Sequence, residues 1–335
     1  MAWLGTALLL LGAACMETRS FARQENRTFF DRENVTVLIT DSGLGGLAIT
    51  ADAARRLQEH KGFRSVHLIF FNALFSREGG YNSLSSRAEK IAVFNSALRS
   101  MQARFTPDLI LIGCNTLSAL YPDTPFSQAP PVLVKGIIET GVEEIAQKLR
   151  EFPDSRVIIL GTQTTVEEGK YQRKLEAKGF LEERIQTQAC PDLIPYIERD
   201  HSGPETEMLI TAYVQEVLSR IPPPPTPLVV SLNCTHYGYS LDLWRKAFRL
   251  EGVEPLAILN PNGPLLDFLD PTRLQNRFPV TELRVEVVSA VEIGKEELGS
   301  LGPWLERLSP ETSEALVSYR WDPDLFEWES LVRRD

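Results

Sequence analysis

The stretch Val35-Thr36-Val37-Leu38-Ile39-Thr40-Asp41-Ser42-Gly43-Leu44-Gly45-Gly46-Leu47 joins an apolar run to a glycine-rich turn. Its first six residues have the length and β-branched content of a buried strand. Residues 47–60, which follow, have helical periodicity, so the segment predicts a strand, a turn and a helix. The apolar runs 66–71 and 109–112, with a helical stretch at 86–105 between them, repeat this pattern and predict a parallel sheet.

A second series of the same units follows along the chain. Apolar runs at 132–134, 157–160 and 228–232 predict further strands, and helical periodicity covers 140–152, 165–179 and 205–220. The prolines at 222–225 and 227 favour an extended connector before the last of these strands, because proline cannot continue a helix. The chain therefore doubles one strand-and-loop pattern, and the predicted fold class is α/β.

The composition indicates a globular protein with a small-molecule partner. The 335 residues are 43% hydrophobic, enough for more than one core, and the formal net charge is -10. Because no long basic stretch accompanies that charge, nucleic acid is not the expected partner. The four cysteines and four histidines lack the paired spacing of a zinc site, and the cysteines do not suggest a disulfide scaffold, so no metal is expected.

Distinctive polar residues directly follow the predicted strands. They are Asp41-Ser42, Cys114-Asn115-Thr116, Gly161-Thr162 and Cys234-Thr235-His236. Ligands of open parallel sheets bind outside the carboxyl ends of the strands, so we expect these groups to converge on one rim.

Cys114 and Cys234 are the candidate reactive groups. A lone buried cysteine is usually a small hydrophobe, but two cysteines in matched polar settings indicate one pocket approached from two sides. A thiolate can serve as a nucleophile, a metal ligand, a redox partner or a carbon base, and the residues alone leave these alternatives open. Cys190 has no comparable neighbours, and we expect it to be structural.

Four segments in order along the chain resemble the successive motifs of glutamate racemases, members of the cofactor-independent aspartate/glutamate racemase superfamily. They are residues 41–47, 114–116, 161–172 and 234–237. The resemblance implies two similar α/β domains with mainly parallel sheets, related by a pseudo-two-fold axis, with the active site in the cleft between them. The expected domains are 34–132 plus 242–335 for the first, with the tail as an added packing element or an interface, and 133–241 for the second.

The resemblance also implies interconversion of L- and D-glutamate without a cofactor. Cys114 would deprotonate the D-enantiomer and Cys234 the L-enantiomer, with Asp41 assisting near Cys114 and His236 near Cys234. His236 stands where aspartate racemases commonly carry glutamate, which favours glutamate as the substrate. The product D-glutamate would imply a role in peptidoglycan and cell-wall synthesis. The implied substrate-binding residues are Ser42, Asn115, Thr116 and Thr235, with backbone N–H groups of Ser42 and Asn115 as candidate donors and Glu198 as a further acidic residue.

Some positions depart from the family pattern. Gly80-Tyr81-Asn82 replaces the Pro-Tyr-Gly that binds a substrate carboxylate, and Asn233 and Tyr239 replace other residues around the second cysteine. Two alternatives therefore stay open: a racemase of another acidic amino acid or related carbon acid, and a non-catalytic exported lipoprotein that binds an amino acid. The cysteine pair counts against the second alternative, because binding alone needs no thiols. The sequence leaves the oligomeric state open, a homodimer being one alternative.

Residues 1–33 are expected to lie outside both domains. Residues 2–14 are almost wholly apolar and end at Cys15, which resembles a bacterial export signal followed by a lipidated cysteine. We therefore expect an exported lipoprotein tethered to a membrane through Cys15, with residues 17–33 as a polar tether. The alternative is a cytoplasmic protein with a mispredicted start codon.

Overall fold

Two parallel β-sheets form the framework of the protein in the computed structural model, which describes residues 29–221 and 227–333. The strands in chain order are β1 Asn34–Asp41, β2 Ser65–Asn72, β3 Leu109–Ile112, β4 Leu133–Gly136, β5 Arg156–Gly161, β6 Ile185–Ala189, β7 Leu228–Asn233, β8 Ala257–Leu259, β9 Glu282–Ser289 and β10 Arg320–Trp321. The first sheet has the order β10-β9-β2-β1-β3-β4, and the second has the order β6-β5-β7-β8. The α/β fold with mainly parallel sheets is thereby confirmed.

The two sheets repeat one strand order. In β2-β1-β3-β4 and in β6-β5-β7-β8 the first strand of the unit lies between the second and the third, with the fourth outermost. All of the strand pairs are parallel, so each unit has its carboxyl ends along one edge. The residues that follow β3 and β7 are therefore in equivalent topological positions, and these residues are the two cysteine loops.

Helices cover the sheets. In chain order they are α1 Gly46–His60, α2 Gly80–Ser83, α3 Arg87–Phe105, α4 Asn115–Leu120, α5 Pro125–Gln128, α6 Ile137–Glu151, α7 Gln163–Glu167, α8 Lys170–Ala177, α9 Leu193–Arg199, α10 Pro204–Ser219, α11 Leu241–Leu250, α12 Asn262–Leu265, α13 Lys295–Glu306 and α14 Pro310–Val317. The predicted helix 165–179 is divided into α7 and α8, because Gly169 takes a left-handed conformation with φ of 53°.

The central strand β1 is buried on both faces. Val37 and Ile39 pack in one hydrophobic cluster and Leu38 packs in another on the opposite side of the sheet. A strand covered on both faces reads as a continuous apolar run, which is why residues 35–40 gave a clear signal. Since β1 is an inner strand, the loop that follows it lies near the middle of the edge formed by the carboxyl ends of the strands.

The outer strands depart from the predicted division of the chain. β4 pairs with β3 in the first sheet, although the second domain was expected to begin at residue 133. β8 pairs with β7 in the second sheet, although residues from 242 onward were assigned to the first domain. Each is the short fourth strand of its four-strand unit, and the strand with which it pairs is a long-range property that the local sequence pattern does not determine.

The tail beyond residue 269 enlarges the first sheet. β9 pairs with β2 along eight residues, and β10 pairs with β9 along two. Neither strand was predicted, because charged and apolar residues mix along Glu282–Ser289 where the inner strands are continuously apolar. The loop between β9 and α13 contributes to the cleft described below.

The expected export signal, Cys15 and most of the proline-rich connector, residues 222–226, lie outside the described residues. Among the residues that are described, no helix is long and apolar enough to cross a membrane.

Candidate active site

A cleft of about 770 Å³ lies between the two sheets. Its walls come from the loop after β1, the 76–83 segment, the residues after β5, helix α9 and the loop after β9. Cys114 and Cys234 lie in the loops after β3 and β7 and are buried, with exposed fractions of 5% and 4%. The lining includes the predicted site residues Ser42, Tyr81, Asn82 and Glu198. A cavity of about 870 Å³ among residues 323–332 contains none of the predicted site residues.

Cys114 is held by two polar contacts. Its Sγ atom lies 3.1 Å from Ser42 Oγ and accepts a weak hydrogen bond from the backbone N–H of Leu117 at 3.5 Å. Burial is the largest cause that raises the pKa of the Cys114 thiol above its ordinary value, and the negative charge of Asp41 is the second. The hydrogen bonds from Ser42 and Leu117 oppose this rise. Cys114 therefore keeps its proton in the resting site.

Asp41 connects the two halves of the site. Its Oδ1 atom accepts from the backbone N–H of Ser42 at 2.6 Å, and its Oδ2 atom accepts from Thr235 Oγ1 at 2.7 Å. Burial raises the pKa of Asp41, and the charge of His236 and the bond from Thr235 oppose that rise. The backbone N–H of Ser42, expected to bind a substrate carboxylate, is thus already occupied by Asp41.

Cys234 belongs to a chain of three side chains. Its Sγ atom lies 3.7 Å from His236 Nδ1, and His236 Nε2 lies 2.8 Å from Glu198 Oε1. Burial lowers the pKa of His236, but the hydrogen bonds and negative charges of Cys234 and Glu198 more than offset this and raise it well above its usual range. The raised pKa favours the protonated form of His236, in which Nε2 donates to Glu198 and Nδ1 faces the sulfur of Cys234.

Two glycines of the first loop allow the second loop to approach. A Cβ atom on Gly45 would lie 2.2 Å from Thr235 Oγ1 and 2.6 Å from His236 Nδ1, and one on Gly43 would lie 3.0 Å from His236 Cε1. The sequence identified this loop as a tight turn, but the glycines are needed because another loop packs against them. Glu198 Oε1 also accepts from the backbone N–H of Leu44 at 2.9 Å, which completes the junction.

The two residues after Cys114 are bonded to the second half of the protein. Asn115 Oδ1 accepts from the hydroxyl of Tyr171 at 2.6 Å. Thr116 Oγ1 lies 2.9 Å from Thr162 Oγ1 and 3.3 Å from Thr165 Oγ1, so three hydroxyl groups form a buried cluster. Thr165 and Tyr171 both lie within the motif 161–172, but nothing in the sequence distinguished them from core residues.

The altered segment 80–82 lies in the cleft wall. Gly79 and Gly80 have φ of 147° and 62°, conformations that favour glycine. Tyr81 is buried against Phe75, with the two ring centroids 5.3 Å apart, and its hydroxyl has no hydrogen-bond partner in the described part of the chain. Asn82 Oδ1 accepts a long bond of 3.4 Å from the backbone N–H of Thr164, which links this segment to the second half of the protein.

Cys190, expected to be structural, is buried and also contributes to the cleft wall. Its backbone N–H donates to the carbonyl of Gly161 at 2.9 Å. Across residues 29–221 and 227–333, no group of three or more histidine, cysteine, aspartate or glutamate side chains is arranged to hold a metal ion. The thiols of Cys114 and Cys234 each lie beside a polar side chain of their own, Ser42 for the first and His236 for the second.

Comparisons with known proteins give a consistent result. The sequence is 29% identical over 200 residues to the glutamate racemase of Aquifex pyrophilus, covering 59% of this chain and 70% of that protein. It is 26% identical over 283 residues to the glutamate racemase of Syntrophus aciditrophicus, covering 81% of this chain and 95% of that protein. No family model matches the chain.

A solved structure gives the same picture of the fold. The crystal structure of glutamate racemase from Francisella tularensis subsp. tularensis SCHU S4 in complex with D-glutamate matches with a TM-score of 0.61 at 21% identity, covering 83% of this chain and 95% of that one. The predicted resemblance to glutamate racemases is thereby confirmed.

Proposed function

We propose that the protein is an amino-acid racemase that interconverts L- and D-glutamate without a cofactor, with Cys114 and Cys234 as opposed acid/base groups. The observation that carries the proposal is the equivalent placement of the cysteines. Each follows the third strand of a repeated four-strand unit, and each has a polar side chain close to its sulfur. The similarity to glutamate racemases supports the same activity.

The reaction needs two proton transfers. The thiolate of Cys234 takes the α-proton of L-glutamate, and the electron pair of the broken C–H bond is shared with the α-carboxylate. The thiol of Cys114 gives its proton to the opposite face of the α-carbon, which forms D-glutamate. The cycle ends with a thiol at Cys234 and a thiolate at Cys114, and the reverse reaction restores the first state.

The main obstacle is the weak acidity of the α-proton. A thiol has a pKa of about 8.5, and every unit by which the carbon acid is weaker adds about 1.4 kcal/mol to the proton transfer. The site must therefore stabilise the developing carbanion with fixed hydrogen bonds in a place from which water is excluded. Two observations support this part of the proposal: both sulfurs are buried, and the hydroxyl groups of Thr116, Thr162 and Thr165 form a buried cluster that is a candidate source of hydrogen bonds to the substrate.

Each sulfur has a partner suited to its part in the L-to-D direction. The raised pKa of Cys114 keeps that sulfur as a thiol, the form that donates. His236 Nδ1 lies 3.7 Å from the sulfur of Cys234, where a protonated imidazole stabilises negative charge on the sulfur that acts as the base. In the D-to-L direction the two sulfurs exchange these parts.

Racemisation of glutamate by the purified protein, followed by circular dichroism, tests the proposal. Cys114→Ala and Cys234→Ala should each lower the rate by a factor of about 10² to 10⁴, because each removes one of two required acid/base groups. Cys190→Ala is the matched control, since it removes a third buried thiol that the proposed reaction does not use. A wild-type protein that racemises no glutamate would end the proposal.

The substrate itself has an alternative. The segment Gly80-Tyr81-Asn82 lies in the cleft wall, and the side chain of Asn82 is bonded to Thr164. This altered wall favours, as a second candidate, a racemase of another acidic amino acid or a related carbon acid. A panel of acidic amino acids compared by kcat/KM distinguishes the two, and glutamate should give the highest value. Calorimetric binding without turnover of any of them would instead support the non-catalytic binding protein.

We further propose that residues 1–15 direct export and that Cys15 carries a lipid tether, with D-glutamate supplied to peptidoglycan synthesis. The apolar run that ends at Cys15 supports the export signal. Mass spectrometry of the mature N-terminus would detect a lipid on Cys15, whereas an unprocessed N-terminus would favour the cytoplasmic alternative. Sedimentation equilibrium would test whether the protein is a homodimer.

A further inference from the structure

A hydrogen bond connects helix α8 to the loop of the first cysteine. The hydroxyl of Tyr171 donates to Asn115 Oδ1 at 2.6 Å, and both side chains are buried. Burial raises the pKa of Tyr171 above its usual range, so the hydroxyl keeps its proton and remains a donor. Asn115 directly follows Cys114 and begins helix α4, so the contact joins the second half of the protein to a reactive sulfur's immediate neighbour.

Helix α6 leaves space for this contact. A Cβ atom on Gly141 would lie 2.7 Å from the hydroxyl oxygen of Tyr171 and 3.0 Å from its ring carbon Cε1. Any other residue at position 141 would therefore displace the tyrosine. Asn233 lies close enough to the same hydroxyl to oppose the rise in the pKa of Tyr171, but the one proton of the hydroxyl is donated to Asn115 Oδ1. Asn115 is thus the residue whose orientation the hydroxyl determines.

The contact has a consequence for the other end of the carboxamide. The carboxamide of asparagine has an acceptor end, Oδ1, and a donor end, Nδ2. A hydrogen bond donated to Oδ1 by Tyr171 therefore also fixes the direction in which Nδ2 points. Nδ2 of Asn115 is buried and has no hydrogen-bond partner among the described residues. Buried donors are rarely left without an acceptor in folded proteins, so this N–H group needs an acceptor from beyond the described residues, and a bound substrate can supply one.

We propose that Tyr171 is a positioning residue that orients the Asn115 carboxamide so that Nδ2 donates to a carboxylate of the substrate beside Cys114. This inference rests on the proposed function. Without the hydroxyl, the carboxamide can rotate and present Oδ1 to the carboxylate, which repels it. Tyr171 itself does not touch the substrate.

A double-mutant cycle tests the inference with the full-length protein and glutamate. Tyr171→Phe and Asn115→Ala should each raise KM about tenfold with a smaller change in kcat, as expected for one hydrogen bond to a charged group. In the Asn115→Ala background, Tyr171→Phe should add less than about twofold, since the orientation of an absent carboxamide no longer matters. Asn115→Asp keeps the acceptor for Tyr171 but replaces the donor with an oxygen, so its KM should rise more than that of Asn115→Ala.

Tyr213→Phe is the matched control. The hydroxyl of Tyr213 donates to the backbone carbonyl of Pro191, outside both cysteine loops, so this variant should keep the wild-type KM. Additive effects in the cycle, or a Tyr171→Phe variant with a lower melting temperature and an unchanged KM, would overturn the inference alone. A wild-type protein that racemises no glutamate would overturn the proposed function and this inference with it.

Discussion

Glu198→Gln removes one negative charge from the chain of Cys234, His236 and Glu198 and changes little else. Oε1 of Glu198 accepts from His236 Nε2 at 2.8 Å and from the backbone N–H of Leu44 at 2.9 Å. Glutamine has the same shape and keeps an acceptor oxygen for both donors. The variant therefore separates the effect of the charge from that of the contact.

The expected loss follows from the burial of the pair. The side chains of His236 and Glu198 are 3% and 15% exposed, so solvent screens their interaction little. Glutamine keeps the hydrogen bond but loses the attraction of the opposite charge, which at this distance shifts a pKa by about one unit or more, so the substitution should cost about 1 to 2 kcal/mol. This corresponds to a fall in kcat/KM of about 5- to 30-fold.

The pH dependence gives a second measurement. The charge of Glu198 helps to raise the pKa of His236 well above its usual range, so its removal lowers that pKa. Activity that needs the imidazolium is lost as the pH rises through the pKa of His236. The alkaline limb of kcat/KM should therefore move to lower pH in Glu198→Gln than in the wild-type protein.

Racemisation is measured in both directions from pH 6 to the alkaline limb. The enantiomers have equal free energies, so kcat/KM must fall equally from L- and from D-glutamate. Glu286→Gln is the control, since Glu286 accepts from His67 at 3.1 Å in a similar histidine–carboxylate pair on strand β9, outside the cleft. A Glu198→Gln variant with wild-type kcat/KM and an unmoved alkaline limb would refute the role given to His236.

Two other substitutions test the junction of the loops. Gly45→Ala places a Cβ atom 2.2 Å from Thr235 Oγ1 and 2.6 Å from His236 Nδ1. The variant should therefore lose about 1 to 3 kcal/mol of unfolding free energy, measured by urea titration, and most of its activity. A variant with unchanged stability and activity would contradict the close packing. The charge of Asp41 is, next to burial, the main cause of the raised pKa of the Cys114 thiol. Asp41→Asn removes that charge, so iodoacetamide should label Cys114 faster, by about tenfold for each unit of pKa that the charge contributes. Equal labelling rates would show that the charge of Asp41 does not hold the proton on Cys114.

The inner part of the fold could be predicted from the sequence, and the outer part could not. Strands such as Leu109–Ile112 are buried on both faces and are therefore continuously apolar, which fixes their bounds in the sequence. Strand Ile185–Ala189 has three consecutive polar residues between its apolar ends, and Arg320–Trp321 has two residues, so neither has a usable period. The placement of β4 and β8 depends on which neighbour they pair with, and pairing is a long-range property.

The candidate site shows the same division. Position after a strand was enough to place Asp41 and Cys114 at one edge of the first sheet and Cys234 and Thr235 at the matching edge of the second, because the carboxyl ends of parallel strands in one sheet share an edge. Nothing in the sequence shows that Asp41 accepts from the hydroxyl of Thr235, or that Glu198 accepts from the backbone N–H of Leu44. Those contacts join residues from the two sheets, and their geometry depends on how the sheets pack.

The position of the proton in the first product molecules tests the two-cysteine account most directly. L-Glutamate with protium at the α-carbon is incubated with the protein in D₂O, and both enantiomers are analysed by mass spectrometry early in the reaction. If Cys234 removes the proton and Cys114 supplies another from the opposite face, the D-glutamate carries deuterium while the remaining L-glutamate keeps protium. D-Glutamate that retains the original protium would mean that one base moves the same proton across the molecule, and the account would be wrong.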